Sequence, residues 1–578
     1  MKQHDIAALF AQMADLLEFR GDNPFRIRAY RRAAQNLESF SGDLDELAAA
    51  GRLTELSGIG IDLAEKIREY LRAGEIGALE RLRRSIPQGV LALLEVPGVG
   101  PKTAKLLTER LKLSTIDQLE HAAKTGRLRQ LPGFQERKEQ AILKGIEILK
   151  KGRERMHLGI ALGLAAQLFA LLQKVPGVAR VSTAGSLRRM KETIGDLDLL
   201  VAARKSARVM KALQDSPFCA RTLAAGATKS SIITPEGVQV DVRVVAPESF
   251  GAALQYFTGS KEHNVRLREL AIRRGLKVNE YGVFRLTTNT RIAGRNEAEV
   301  YRALGLDWIP PELREDQGEL DAAKNGRLPK LVELKDLRGD FHVHTNWSDG
   351  SDRLEDVVRA AAVRGYEYVA ICDHSQSLKV AHGMSIARIR QQMGQIRRLN
   401  AANPRFTVLM GSEVDILADG SMDYPDALLR ELDFVVGSIH SGFGQGQAIL
   451  TRRMITAMRN PYVTLIAHPT GRLMGQREPY PLDLEAVFRT AKQTQTALEI
   501  NAYPRRLDLG DTAARRAKDL GVMLALSTDT HSLDQLEHIA IGVGVARRAW
   551  LEARHLLNGM TLRELRSWVQ RKRRSAHA

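Results

Sequence analysis

Two carboxylates spaced two residues apart, ahead of an apolar run, are the first groups in this chain able to do chemistry. They are Asp196 and Asp198, in the stretch 185–201 reading GSLRRMKETIGDLDLLV. If 197–201 is a strand, side chains alternate between its faces and both carboxylates point the same way. Such a pair can bridge Mg²⁺, which takes oxygen ligands from one or two carboxylates plus substrate phosphates. Just upstream, Gly185, Ser186, Arg188 and Arg189 supply backbone amides, a hydroxyl and two guanidinium forks that suit phosphate. A third carboxylate, Asp241, lies in the alternating run 238–245, VQVDVRVV. Together these groups are the kit for two-metal phosphoryl or nucleotidyl transfer.

A second set lies between residues 340 and 531. Short apolar runs each end in a ligand-type residue: His342 and His344 with Asp349, then His374, Glu413, His440, His468, and Asp529 with His531. Imidazole with carboxylate suits Zn²⁺, Mn²⁺ or Fe²⁺. One histidine at a strand end is ordinary packing, but six at the ends of successive runs are hard to obtain by accident. Several cations in one pocket can activate water against a phosphate ester at neutral pH.

The elements that must position these residues are also legible. Helical segments such as 354–364 and 483–494 separate the second set of runs. Alternating short strands and helices predict a parallel sheet closed into a barrel, with its site at the C-terminal strand ends. Residues 1–50 predict amphipathic helices, since Ile6, Leu9, Phe10, Met13, Leu16 and Leu17 recur at helical spacing. Arg26, Arg28, Arg31 and Arg32 follow beside Phe25 and Tyr30. Then comes a local repeat: LTELSGIGIDLAEKIREYL at 53–71, LLEVPGVGPKTAKLL at 93–107, and a weaker copy at 128–149. Each copy has an apolar residue, a glycine turn, and a helix with a basic residue near its start. Gly58 and Gly60, and Gly98 and Gly100 with Lys102, thus present backbone N–H groups at a helix N-terminus, where phosphate binds. Residues 156–175 predict an apolar helix. Tyr256 and Phe257, ahead of Gly259, are placed to pack against a nucleotide, and 276–284 predicts a hairpin. The charged stretch 312–338 contains the predicted linker.

Composition narrows the partner. The length of 578 residues calls for roughly three or four domains. The formal charge is +18, of which +13 lies before Gly339, so a polyanionic partner is expected. Two cysteines, Cys219 and Cys372, form neither a disulfide framework nor a zinc motif. The N-terminus lacks a signal-type apolar core, and no segment is apolar for long enough to span a bilayer. The expectation is a cytoplasmic, nucleoid-associated protein with no membrane partner.

These motifs carry a resemblance over nearly the whole chain. The glycine turns resemble helix-hairpin-helix motifs, which grip the DNA backbone without reading sequence. GS…RR…GDLDLLV, with YFTGS and LKVNEYGVF after it, resembles the palm and following segment of family X DNA polymerases. The nine-residue ligand set resembles a PHP domain (polymerase and histidinol phosphatase), and the order of parts is that of bacterial family X enzymes. The resemblance implies that Asp196 and Asp198 hold both palm metals, Mg²⁺ or Mn²⁺. Asp241 would touch only the catalytic metal. It implies that Ser186, Arg189 and Gly195 hold the incoming triphosphate. Tyr256, Phe257 and Gly259 would check its sugar, and Asn264 would lie near its base. His342, His344, Asp349, His374, Glu413, His440, His468, Asp529 and His531 would bind up to three Mn²⁺ or Zn²⁺ ions. Lys66 matches the Schiff-base lysine of members with lyase activity. The basic residues that support such a lysine read here as Arg26, Asp62 and Ala78, which argues against that activity.

The expected organisation is a multidomain chain. A helical lyase-like DNA-binding domain spans 1–85 and a helix-hairpin-helix subdomain 86–150. An α+β nucleotidyltransferase palm spans 151–250 and a small α+β nucleotide-checking subdomain 251–315. A linker at 316–338 leads to an α/β PHP barrel at 339–578. The expected function is filling short gaps in DNA repair on gapped, nicked or primed DNA with dNTPs, by a monomer. The barrel would act as a Mn²⁺-dependent 3′–5′ exonuclease, with abasic-site cleavage in some members. Two other readings stay open: a DNA-binding scaffold with an inactive palm, and a barrel that is a small-molecule phosphatase.

Overall fold

The computed structural model describes residues 2–38, 44–56, 58–87, 89–96, 98–131 and 133–575. Ser57, Pro97 and Pro132, which precede the three hairpin glycines, lie outside the described residues. The first helices, Lys2–Arg20 and Pro24–Glu38, bury Ile6, Phe10, Met13, Leu17, Tyr30 and Leu37 against Ile61–Ala73 and Gly77–Arg84. A separate core built on Leu93, Leu107, Leu119, Leu128 and Ile142 holds the next four helices, Val90–Leu94 to Glu136–Glu154. Each fully buried leucine or phenylalanine contributes about 1.5–3 kcal/mol. Phe25, by contrast, is 74% exposed with the Arg28 guanidinium 4.6 Å from its ring centre, so only Tyr30 of that aromatic pair is core.

The palm is a five-stranded sheet. In spatial order its strands are Val178–Thr183, Asp196–Ala203, Gln239–Val245, Lys229–Ile233 and Arg221–Ala225. Asp196–Ala203 and Gln239–Val245 run parallel, with Asp198 opposite Asp241. Period-two alternation divides the central strand cleanly. Leu197, Leu199 and Val201 face the apolar helix Leu158–Gln173. Leu200 and Ala202 face Phe250, Ala253 and Leu254 of helix Phe250–Thr258, and Asp196 and Asp198 share that second face. The sheet therefore buries one side and offers a carboxylate edge on the other.

The following subdomain is a three-stranded antiparallel sheet, Leu276–Asn279, Gly282–Arg285 and Arg291–Ala293, flanked by helices Lys261–Arg273 and Glu297–Ala303. A buried clasp fixes it to the palm. Both Arg188 Nη groups donate to Glu297 at 2.7 Å, and Arg314 Nη1 donates to Glu297 Oε1 at 2.6 Å. Burial would push the Glu297 carboxyl up; the Arg314 charge and the Arg188 hydrogen bonds hold it down at about 2. Arg188 is therefore not the free phosphate fork that its sequence suggests. Its guanidinium is committed to a buried carboxylate, and uncoupling such a pair costs about 3–5 kcal/mol. The predicted linker is an ordered strap containing helix Glu319–Lys324. Within it, buried Glu319 accepts from or donates to His263 Nδ1 at 2.6 Å, according to the proton's place, and Val332 N donates to Leu551 O.

The C-terminal part has seven parallel strands in sequence order, from Gly339–Val343 to Leu524–Ser527. A parallel bridge between Val343 and Thr530 brings the first strand beside the last and closes the barrel. Phe341, Tyr368, Leu409, Phe434, Leu465, Ala497 and Ala525, one from each strand, form a single cluster, which only a closed sheet allows. Leu565, Trp568 and Val569 of helix Leu562–Ser575 join that cluster. Among the described residues, no helix is long and apolar enough to cross a membrane.

Candidate functional sites

The palm face opens into a cleft of about 510 Å³ lined by Asp196, Asp198 and the expected nucleotide contacts Ser186, Arg189, Gly195, Tyr256, Phe257, Gly259 and Asn264. Gly185 makes the closest approach: a Cβ there would stand 2.2 Å from Asp198 Oδ2, and its φ is +57°. Any side chain would displace the carboxylate. Burial, then the charges of Asp196 and Asp241, push the Asp198 carboxyl up to about 7. A cation between these groups would relieve that repulsion, so the donor set fits a hard divalent metal. Asp241 differs. Burial opposes its ionisation, but hydrogen bonds from Lys229, Ser231 and Gln239 hold it below the usual carboxylate range. Lys229 Nζ is 2.8 Å from Asp241 Oδ2. The palm carboxylates meet less closely than the barrel ligands do. Among the described residues, groups whose ligand atoms all lie within 4.8 Å of one another occur in the barrel.

The cleft also holds residues that pattern reading passed over. Arg155, Lys191, Lys261 and Arg268 line it and add positive charge. Asn264 is not free: its Nδ2 donates to Tyr256 O and its Oδ1 accepts from Gln255, both at 2.7 Å. The Phe257 ring carries the Arg243 guanidinium at 4.4 Å and meets Tyr256 edge-on.

In the barrel all nine candidate ligands converge at the C-terminal strand ends. Eight fall into three overlapping groups: His344, Asp349, His374 and His531; His342, His344 and Asp529; His374, Glu413 and His440. The ninth, His468, places Nε2 3.0 Å from Glu413 Oε1. Glu413 is the centre, with Oε2 2.8 Å from His374 Nδ1 and 3.3 Å from His342 Nε2. His342 Nε2, His344 Nε2 and Glu413 Oε2 are buried without a hydrogen bond, as polar atoms reserved for a cation would be. Burial, then the charges of His531 and His374, drive the His344 imidazole down to about 3, leaving it neutral and able to ligate. Burial opposes charge on His342 and His374 too, yet Glu413 raises both well above the ordinary histidine range; bound cations would replace those protons.

A further shell orients these groups, and the sequence reading missed it. Glu499 Oε1 lies 2.9 Å from His342 Nδ1, and Asp415 Oδ1 lies 2.5 Å from His440 Nδ1. Such carboxylate–imidazole pairs fix the tautomer and ring angle. Both acids lie on strands, Ala497–Asn501 and Thr407–Asp415, where their place in the chain does not show which imidazole each will meet. His468 and Asp529 adopt left-handed backbone, φ +28° and +55°, which aims their side chains across the strand ends.

At the N-terminus, Gly58, Gly98 and Gly133 take φ of +75°, +88° and +76°, so all three repeats form the same turn. Gly60 and Gly100 cap helices Ile61–Ala73 and Pro101–Leu111 in extended conformation, with Lys102 in the first turn of the second. Glu136 and Glu139 occupy the first turn at the third repeat, and Arg129 pairs with both, at 3.1 and 2.8 Å. Lys66 is largely buried and its Nζ lies 2.5 Å from Asp62 Oδ1. An ammonium held by a carboxylate is a poor Schiff-base nucleophile. Borohydride trapping on a 5′-deoxyribose-phosphate end should therefore give little adduct. A strong adduct that disappears in Lys66→Ala would overturn this.

Comparisons with known proteins follow this order of parts. Residues 1–76 match the family described as helix-hairpin-helix domain, and 90–147 the SAM-like helix-hairpin-helix tandem. Residues 253–315 match the DNA polymerase beta thumb, and 340–501 the PHP domain. The chain is 38% identical over 573 residues to a Bacillus subtilis (strain 168) protein named DNA polymerase/3'-5' exonuclease PolX, covering 99% of this chain and 100% of the relative. It is 29% identical over 201 residues to a protein of Acetivibrio thermocellus named "Probable phosphatase", covering 33% of this chain and 78% of the relative. A protein of that name from Syntrophotalea carbinolica is 33% identical over 170 residues, covering 28% and 64%.

Proposed function

The chain belongs to the PolX family of DNA polymerase/3'-5' exonucleases, and from that premise we propose that it fills short gaps in DNA and hydrolyses DNA 3′ ends at two separate centres. The observation that carries this reading is that two separate sheets each gather candidate metal donors: Asp196, Asp198 and Asp241 on neighbouring palm strands, and nine candidate ligands at the barrel's strand ends. The domain boundaries we assign are 1–85, 86–150, 151–250, 251–315, 316–338 and 339–578.

Within this reading, Gly58, Gly60, Gly98, Gly100 and Lys102 hold the backbone of gapped duplex. Ser186, Arg189 and Gly195 bind the triphosphate of a dNTP, and Tyr256, Phe257 and Gly259 bound its sugar. Asp196, Asp198 and Asp241 would hold Mg²⁺ or Mn²⁺, and the barrel set would hold Mn²⁺ or Zn²⁺; ions bound there would neutralise phosphate charge and lower the pKa of oxygen nucleophiles. Asp241 would help activate the primer 3′-hydroxyl for in-line attack on the α-phosphate, with pyrophosphate leaving. In the barrel, Glu413 and the surrounding imidazoles orient the terminal phosphodiester. A monomer working in the cytoplasm is consistent with both tasks.

The test is a labelled primer in a short-gap duplex with Mn²⁺ and all four dNTPs. Extension to gap length is expected. A primer that only shortens would overturn the polymerase half of the reading. Phosphatase-named relatives that match the barrel alone favour a second reading, in which that site takes phosphate monoesters. Faster hydrolysis of a small monoester than of a DNA 3′ end would select it.

A further inference from the structure

Between Arg189 and Gly195, both lining the nucleotide cleft, the chain runs through a short loop, Met190 to Glu192. The barrel holds this loop at three points. Met190 has φ +54°, and its side chain lies against Gly544 of the barrel helix Ile539–Arg548. A Cβ on Gly544 would stand 2.4 Å from Met190 Cε, so a side chain there would make the Met190 side chain shift. At one end of the loop, Arg548 Nη1 donates to Arg189 O at 2.8 Å and to Glu315 Oε1 at 2.9 Å. Glu315 Oε1 also accepts from Arg189 Nε at 3.0 Å, while Arg189 Nη1 donates to Thr258 O. At the other end, Arg472 donates to both oxygens of Glu192, at 3.0 and 2.7 Å. Thr193–Ile194 follows as a short strand, and then come Gly195 and Asp196.

Arg548 is 5% exposed and Asp511, within the barrel, anchors it at 2.7 Å. Its guanidinium is a rigid fork that joins barrel, loop and Glu315. Arg189 is thus set from two sides: its backbone by Arg548, and its guanidinium by a carboxylate that Arg548 also holds. Placement of a phosphate-binding fork governs binding far more steeply than its mere presence, because a small misplacement loses bidentate geometry.

We propose that the barrel is a working part of the polymerase's nucleotide cleft, with Arg548 acting through Glu315 and Arg189 as a positioning residue that sets the affinity for the incoming dNTP. This rests on the reading that the palm cleft takes a dNTP. The coupling needs no movement and no contact between Arg548 and substrate. It makes the two catalytic domains one mechanical unit, although their chemistry is separate.

The test uses the full chain and the variants Arg548→Gln and Arg548→Lys, on a one-nucleotide gap. The expected result for Arg548→Gln is a dNTP KM raised about tenfold with kcat within about twofold, the pattern of lost uniform binding. Hydrolysis of a DNA 3′ end should stay at the wild-type value, while the thermal midpoint falls, because Glu315 and Asp511 lose a buried partner. Arg548→Lys keeps one charged donor and should return part of the KM. Equilibrium titration of a fluorescent dNTP with gapped DNA should show the same order: wild type tightest, then the lysine variant, then the glutamine variant. An unchanged KM in an active enzyme would overturn the proposal alone. Equal loss of extension and hydrolysis would also overturn it, showing a merely structural role. Wild-type chain that neither binds nor incorporates dNTP would overturn the cleft reading, and the proposal with it.

Discussion

Asp241→Ala is expected to lower dNTP incorporation by about 10³-fold or more while leaving hydrolysis of a DNA 3′ end unchanged. Asp241 lies opposite Asp198 on the parallel strand Gln239–Val245, at the one register where carboxylates of two strands face each other. Removing it takes a candidate ligand from the catalytic position and frees Lys229, whose ammonium it holds at 2.8 Å. A cationic side chain then stands where a divalent ion should approach. Asp241→Asn separates charge from shape: it keeps the packing and should lose nearly as much incorporation. Primer extension and end shortening, followed on the same labelled strand, check both halves. Loss of both activities in Asp241→Ala would contradict two independent centres.

His344→Ala is expected to do the reverse. His344 belongs to two of the three groups of candidate metal ligands, so its loss withdraws a donor from two positions at once. End hydrolysis should fall by about 10³-fold, since even outer-shell changes cost roughly 10–100-fold. Metal bound per chain, measured after equilibration with Mn²⁺ and desalting, should fall by at least one ion. Incorporation should stay within about twofold, because His344 lies in the barrel's own strand-end cluster, apart from the loop that meets the palm. Unchanged metal content with lost hydrolysis would place His344 on substrate instead.

Much of the site was legible because its ligands follow short-range rules. Asp196 and Asp198 reveal a shared face through period two alone, and the structure keeps them there. Most barrel ligands lie at the end of an apolar run, so the strand-end pattern shows in one dimension; Asp349 follows in the turn after the first strand. The closed seven-strand sheet then brings together residues nearly 200 positions apart, such as His342 and Asp529. Arg188 misled for the opposite reason. Its neighbour Arg189 lines the cleft, but Arg188 meets Glu297, 109 positions later, and nothing local announces that partner. Glu499 and Asp415 were hidden because an acid within a strand gives no sign of which imidazole it will support. Lys66 was decided locally: Asp62 stands one helical turn away, where a side chain four residues distant must meet it.

The sequence by itself determined which donors exist, their order along the chain, the alternation that puts two aspartates on one face, and the glycine turns that open three helices. Those follow from side-chain chemistry and from backbone geometry within a few residues. Only the tertiary structure decided that Glu413 stands at the centre of the histidines, that Arg188 clasps Glu297 and not a phosphate, and that the barrel grips the palm loop through Arg548, Arg472 and Gly544. Each of these depends on which surfaces meet when distant segments pack, a matter of shape and charge that no local pattern encodes.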